Sequence, residues 1–250
     1  MQDNREQNFD LIIGRNPVME ALRSKKELDK IILAHGTAGG SIVPILEKAR
    51  DQKVPIREVS KQKLDFMCGG ASHQGIAAVI ASHHYCELED ILKAAKESER
   101  DPFIIILDGL EDPHNLGAII RTAEAAGVHG IIISKNRAAS VNATVAKASS
   151  GALIYSNICR VTNITNTIKT LKENGIWVYG ADMDGNVASG TNLTGPIALV
   201  IGSEGNGISR LVKENCDDVI SIPMLGKVNS LNASVAAGIL MFEVVRQRSI

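Results

Sequence analysis

The stretch FIIILDGLEDPHNLGAIIRTAEAAGVHGIIIS, residues 103–134, decides the reading of the fold. It opens on Phe103–Leu107 and closes on Ile131–Ser134, two short runs apolar on both faces. Such strands suit a sheet covered by helices on both sides, where neither set of alternating side chains meets water. Between them Asn115–Ala126 has helical spacing, with Asn115 as a natural N-cap. Strand, helix, strand in that order predicts an α/β layer built on a mostly parallel sheet.

Further along the chain, Trp177–Gly180, Ile197–Ile201 and Val219–Ile222 repeat the strand pattern, and Asn142–Ser149, Ile164–Asn174 and Asn232–Arg246 repeat the helical one. The last helix contains SVAAGILMFEVV, apolar almost all round, which implies deep burial or an oligomer contact. Ligand is expected outside the carboxyl ends of the strands. Upstream, residues 83–100 form a polar linker, including His83 and His84, that leads into an amphipathic helix. Before that, Ile31–Ala34, Val54–Val59 and Ile76–Ala81 read as strands, and Pro17–Arg23, Ser41–Gln52 and Lys61–Cys68 as helices, with Asn16 capping the first. The expected organisation is a small α/β domain over 9–82, a linker and first helix over 83–100, and the larger domain over 101–250.

Composition narrows the function classes. The 250 residues are 44% hydrophobic and 22% charged, with no apolar run of membrane-spanning length and no N-terminal apolar stretch of a secretory signal, so a cytoplasmic protein is expected. A net charge of −1 and 3% aromatic residues argue against a general nucleic-acid coat. The small domain is mildly basic, with 11 Lys and Arg against 8 Asp and Glu in residues 9–82. Cys68, Cys86, Cys159 and Cys216 are scattered, without a CxxC pair or nearby His cluster, and ordinary reduced thiols are expected, with no metal site.

Three segments follow strand ends. In DPHNLGAIIRTAEAAG (112–127), Arg121 sits among apolar helix residues, an expensive position unless it reaches an anion or a cleft. The bland alternative is a surface pair with Glu111 or Glu124. In IGSEGNGIS (201–209), glycines permit close backbone approach to a ligand, but the order is neither G-x-G-x-x-G nor a Walker A loop. Glu204 is anomalous there, since a phosphate loop would avoid a carboxylate. In SIPMLGKVNSLNASVAAGILMFE (221–243), Ser230 or Asn232 caps the apolar helix. From the residues alone the conclusion is a ligand site at strand ends, with an unexplained Arg and Glu.

Together and in this order, the three segments resemble the signature motifs of the SpoU (TrmH-like) branch of the SPOUT methyltransferases, nearly residue for residue across about residues 101–250. GRNPVMEAL (14–22) and HQGIAAVI (73–80) are similar to that family's small substrate-binding domain, an L30e-like α/β domain. The resemblance implies an RNA ribose 2′-O-methyltransferase that uses S-adenosylmethionine, with a trefoil knot formed by the second and third motifs and a homodimer in which Arg and cofactor loop come from opposite protomers. It assigns catalysis to Arg121, Asn115, Glu204, Ser230 and Asn232, and cofactor binding to backbone groups of Gly202, Ile222 and Leu231. On this reading Asn115 and Glu204 hold Arg121 in place, so that Glu204 answers a cation. With both domains present, the expected substrate is a guanosine ribose in 23S ribosomal RNA. Alternatives are a transfer-RNA ribose methyltransferase and a non-catalytic RNA-binding or ribosome-assembly protein; the missing fingerprint disfavours a nicotinamide-linked dehydrogenase.

Overall fold

The computed structural model describes residues 11–24, 26–80, 85–227 and 230–249, and the chain divides into two compact units between residues 84 and 85. His83, His84 and the end of the strand expected at Ala81 lie outside the described residues.

The first unit runs β1 (Leu11–Ile13), α1 (Arg15–Arg23), β2 (Leu28–Ala34), α2 (Ile42–Asp51), β3 (Ile56–Val59), α3 (Lys61–Met67) and β4 (Ile76–Ile80). Its sheet has the order β1-β4-β2-β3, with β2 and β3 parallel and β4 antiparallel to both β1 and β2. Ile31, Ile76 and Ala78 pack under Leu22, Ile42 and Ile45 of α1 and α2, while Ile32, Ala77 and Val79 face Leu64 of α3. The alternation along each strand thus builds two apolar layers. The start of α1 departs from expectation. Gly14, at φ 97°, is the N-cap, and its carbonyl accepts the Val18 N–H. Asn16 lies inside the first turn with Pro17, whose missing N–H costs nothing there.

The second unit opens with α4 (Leu88–Glu97), then β5 (Phe103–Asp108), α5 (Pro113–Ala125), β6 (Gly130–Ser134), α6 (Ala143–Ala148), β7 (Ile158–Val161) and α7 (Ile164–Glu173). It continues through β8 (Trp177–Val187), β9 (Ile197–Gly202), α8 (Arg210–Asn215), β10 (Asp218–Ser221) and α9 (Ala233–Arg248). The six-stranded sheet has the order β10-β8-β9-β5-β6-β7, with every pairing parallel. Ile105, Leu107, Ile131, Leu199 and Ile201 face α5 and α9, and Ile104, Ile106, Ile132, Val178 and Val200 face α4, α7 and α8. Helices therefore cover both faces, as the doubly apolar strands require.

Several local expectations change. Asp112, not Asn115, caps α5, accepting the His114 N–H at 2.9 Å with Pro113 in the first helical position. Asn115 lies inside the first turn and is buried. β1, β7 and α8 had no counterpart in the sequence reading; each is too short to show a period. The α9 cap is Asn232, whose Oδ1 accepts the N–H groups of Ser234 and Val235. Ala237, Leu240, Met241 and Val244 of α9 are buried, but Val235, Ile239 and Phe242 remain about half exposed.

Candidate functional site

The three segments meet where the carboxyl ends of β8, β9 and β10 approach the start of α9. Glu204 Oε1 accepts Asn115 Nδ2 at 2.6 Å and Asn232 Nδ2 at 2.6 Å, and Asn232 Nδ2 also approaches Asn115 Oδ1 at 3.0 Å. One carboxylate oxygen thus orients two amides from opposite ends of the domain. Ser234 Oγ donates to Asn232 Oδ1 at 2.6 Å and locks the third member. Charge-assisted bonds of this kind are about twice as strong as neutral ones.

The cluster borders a cavity of about 420 Å³. Its walls are mainly apolar, with Ile201, Ile220, Ile222, Leu231 and Leu240 among them, and the 202–207 loop and Ser230 form its polar edge. Gly202 is obligatory: a Cβ there would lie 2.1 Å from the Gly207 carbonyl carbon. The 203–207 loop closes on itself through Ser203 N to Gly207 O at 3.0 Å and Gly207 N to Ser203 O at 2.9 Å. Volume and lining suit a drug-sized ligand with a flat apolar part and a few polar groups. Gly202, Ile222 and Leu231, expected from the motifs, all line this cavity, as do Glu204 and Ser230.

Arg121 is placed elsewhere. It is exposed on α5, with Nη1 3.4 Å from Ser150 Oγ, and it neither lines the cavity nor bonds Glu204. Within one chain Glu204 holds the two amides of Asn115 and Asn232 and does not meet Arg121. The surface pair with Glu111 or Glu124 does not form either. The apolar α5 residues turn inward and leave Arg121 on the open side. Around it, α5 packs against α9, with its exposed Val235, Ile239 and Phe242, and against a turn at 152–155 whose Ile154 and Tyr155 are more than three-quarters exposed.

Sequence reasoning missed Asp182. It lines the cavity and pairs with Lys213 Nζ at 2.9 Å. Burial pushes its carboxyl up, but the hydrogen bond and charge of Lys213, with backbone N–H groups, outweigh this and hold it below the usual carboxylate range. The pair bridges 31 positions and α8 is short, so only the repeated acid in ADMDG hinted at it. All four cysteines are free thiols; burial pushes Cys86 to about 11 and Cys159 to about 12, which leaves them inert at neutral pH. Among the described residues no group of three His, Cys, Asp or Glu is arranged to hold a metal, and no helix is long and apolar enough to cross a membrane.

In the first unit, the loops at 35–38 and 70–75 enclose a cavity of about 570 Å³. Arg15 ties its rim, donating from Nε to Gln74 O at 3.0 Å and from Nη1 to Ser41 Oγ at 3.2 Å.

Comparison with known proteins shows the family. Residues 102–242 match the SpoU rRNA Methylase family, and residues 11–86 match a domain described as RNA 2′-O ribose methyltransferase substrate binding. A Bacillus subtilis protein named for the TrmH family of tRNA/rRNA methyltransferases is 50% identical over 97% of this chain and 98% of its own length. The structure is similar to the SpoU methyltransferase AviRb from Streptomyces viridochromogenes in complex with AdoMet (TM-score 0.60, 26% identity, 96% of this chain and 90% of that one). The TrmH/SpoU tRNA modifying enzyme of A. aeolicus is similar over 64% of this chain and 83% of its own (TM-score 0.55, 28% identity).

Proposed function

The chain belongs to the SpoU rRNA methylase family, and on that premise we propose that it methylates the ribose 2′-hydroxyl of a guanosine in 23S ribosomal RNA. It is an S-adenosylmethionine-dependent RNA methyltransferase. The carrying observation is the convergence of Asn115, Glu204 and Asn232 on the rim of one apolar cavity. The cavity fits the cofactor: its aliphatic walls suit an adenine ring, the backbone of Gly202, Ile222 and Leu231 offers hydrogen-bonding groups, and Asp182 and Glu204 place negative charge beside a cationic ligand. A trefoil path through the second and third segments fits their meeting at this cavity.

When bound, the cofactor supplies an already activated methyl group, so the chain's task is alignment of the acceptor hydroxyl. Asn115 and Asn232, held by Glu204, present fixed amides to the ribose and its neighbouring phosphate. A guanidinium offers donors and no acceptor, so Arg121 is not assigned the role of general base. It stabilises the developing alkoxide and orients the adjacent phosphate. Its exposure beside the apolar faces of α9 and the 152–155 turn favours a homodimer in which it serves the partner's cavity. The first unit holds the RNA around the Arg15 rim, and the protein works in the cytoplasm.

The test maps 2′-O-methyl sites on ribosomal RNA with and without the gene. Loss of one guanosine mark in 23S RNA is expected; an unchanged ribosomal RNA with a lost mark in transfer RNA would overturn the substrate assignment. Mixing Arg121→Ala with Asn232→Ala tests the dimer. Random exchange of symmetric protomers restores roughly a quarter of wild-type activity if Arg121 acts across the interface, and none if it acts within one chain.

A further inference from the structure

A second cleft, of about 800 Å³, shares the 203–207 loop with the cofactor cavity, but its other walls come from the ends of β5, β6 and β7. The loop is therefore a partition between two chambers. From β5 the chain moves outward to β6 and β7, then returns to build β8 and β9 on the other side. The cleft thus lies at the point where strand order reverses, the place an open parallel sheet offers to a ligand.

Its chemistry is unlike that of the cofactor cavity. Among the described residues that line it, Leu110 is the one aliphatic hydrophobe, beside four carboxylates and one guanidinium. Three carboxylates are engaged: Asp108 Oδ2 accepts the Ser209 N–H at 2.7 Å, Asp112 Oδ1 caps α5, and Glu204 Oε1 holds the two amides. Glu111 and Arg137 are exposed and take no hydrogen bond or ion pair from the described residues. Among those residues no trio of metal ligands forms, so the acids do not make a cation site.

We propose that this cleft takes the acceptor nucleotide, with Glu111 reading the Watson–Crick edge of an unstacked guanine and Arg137 holding its phosphate. The inference rests on the reading of the chain as an RNA ribose methyltransferase. Guanine alone places two donors, N1–H and N2–H, side by side to meet the two oxygens of one carboxylate. Adenine and cytosine set one donor beside an acceptor, and uracil sets one donor between two acceptors. Any base but guanine leaves the Glu111 charge facing an acceptor, a strong basis for rejection. The planar fork of Arg137 matches a phosphate's oxygens and is indifferent to the base.

The test uses the full chain saturated with S-adenosylhomocysteine and titrated with GMP, AMP, CMP or UMP, followed by NMR. GMP is expected to bind alongside S-adenosylhomocysteine and at least about tenfold more tightly than the others. Glu111→Gln removes that preference, and Arg137→Ala weakens all four nucleotides alike, with S-adenosylhomocysteine affinity unchanged in both. Displacement of GMP by S-adenosylhomocysteine, a preference that survives Glu111→Gln, or no nucleotide binding overturns the assignment. Failure of S-adenosylhomocysteine itself to bind would instead remove the methyltransferase reading.

Discussion

The two edges of the six-stranded sheet are built from the same strands and treated in opposite ways. At the carboxyl edge, glycine loops and oriented amides surround two cavities. At the amino edge the polar groups are turned on one another. Arg248, on the last turn of α9, donates to the carbonyls of Asp101, Pro102 and Gly195 at 2.6–3.0 Å and lies over the Phe103 ring. His129 is buried; Nδ1 accepts the Phe103 N–H at 3.0 Å and Nε2 meets Ser98 Oγ at 2.8 Å, an arrangement open only to the neutral ring. One edge spends its polar groups on closure, while the other keeps Arg137 and Glu111 exposed, and α5 between them keeps Arg121 exposed. The difference separates residues bonded into the fold from residues left open to a ligand.

That separation yields graded predictions. Arg121→Ala should lower methyl transfer by about 10²–10³-fold, the scale of losing one transition-state donor, while the melting temperature stays put. A fall in both, measured by labelled methyl incorporation and calorimetry, breaks the division. Arg248→Ala should do the reverse, costing about 2–3 kcal/mol through three lost hydrogen bonds and lowering the melting temperature by roughly 5–10 °C with kcat retained. Next in size, Glu204→Gln keeps an acceptor for both amides but removes the charge beside the cofactor. A weakening of S-adenosylmethionine binding of about tenfold is expected by calorimetry, with the fold intact.

The smallest effect is pH-dependent. Burial, then the cations of Arg100 and Arg248, lower the His129 pKa below 6.5. The unfolded chain therefore binds this proton more readily, so the contribution is complete above pH 6.5 and is lost as pH falls toward and through the lowered value. Denaturant midpoints for wild type and His129→Gln should converge as pH drops from 7 to 5. Parallel curves would remove His129 from the account.

The architecture of both units was legible because burial on two faces writes continuous apolar runs such as Phe103–Leu107 and Ile197–Ile201. The cavity beside Glu204 was legible only as a motif: Gly202 is required by the Gly207 backbone, a contact that spacing does not reveal. Asn115 looked like a cap because Asn precedes an apolar run, yet Asp112 and Pro113 had already closed the helix start. Arg121 looked embedded because the helix around it is apolar on average, and an average does not say which side a residue faces.

The sequence by itself determined the longer strands and helices, the two apolar layers and the family, since these follow from local period and residue order. Only the tertiary structure decided which polar groups meet. Six residues at about 100° each rotate Arg121 by about 120° from Asn115 around α5. Once Asn115 turns inward to Glu204, 89 positions away, Arg121 cannot share that carboxylate and is left facing outward. The likeness of the motifs singled out Asn115, Glu204, Asn232 and Arg121, and the register of one helix decided that the first three meet and the fourth faces away.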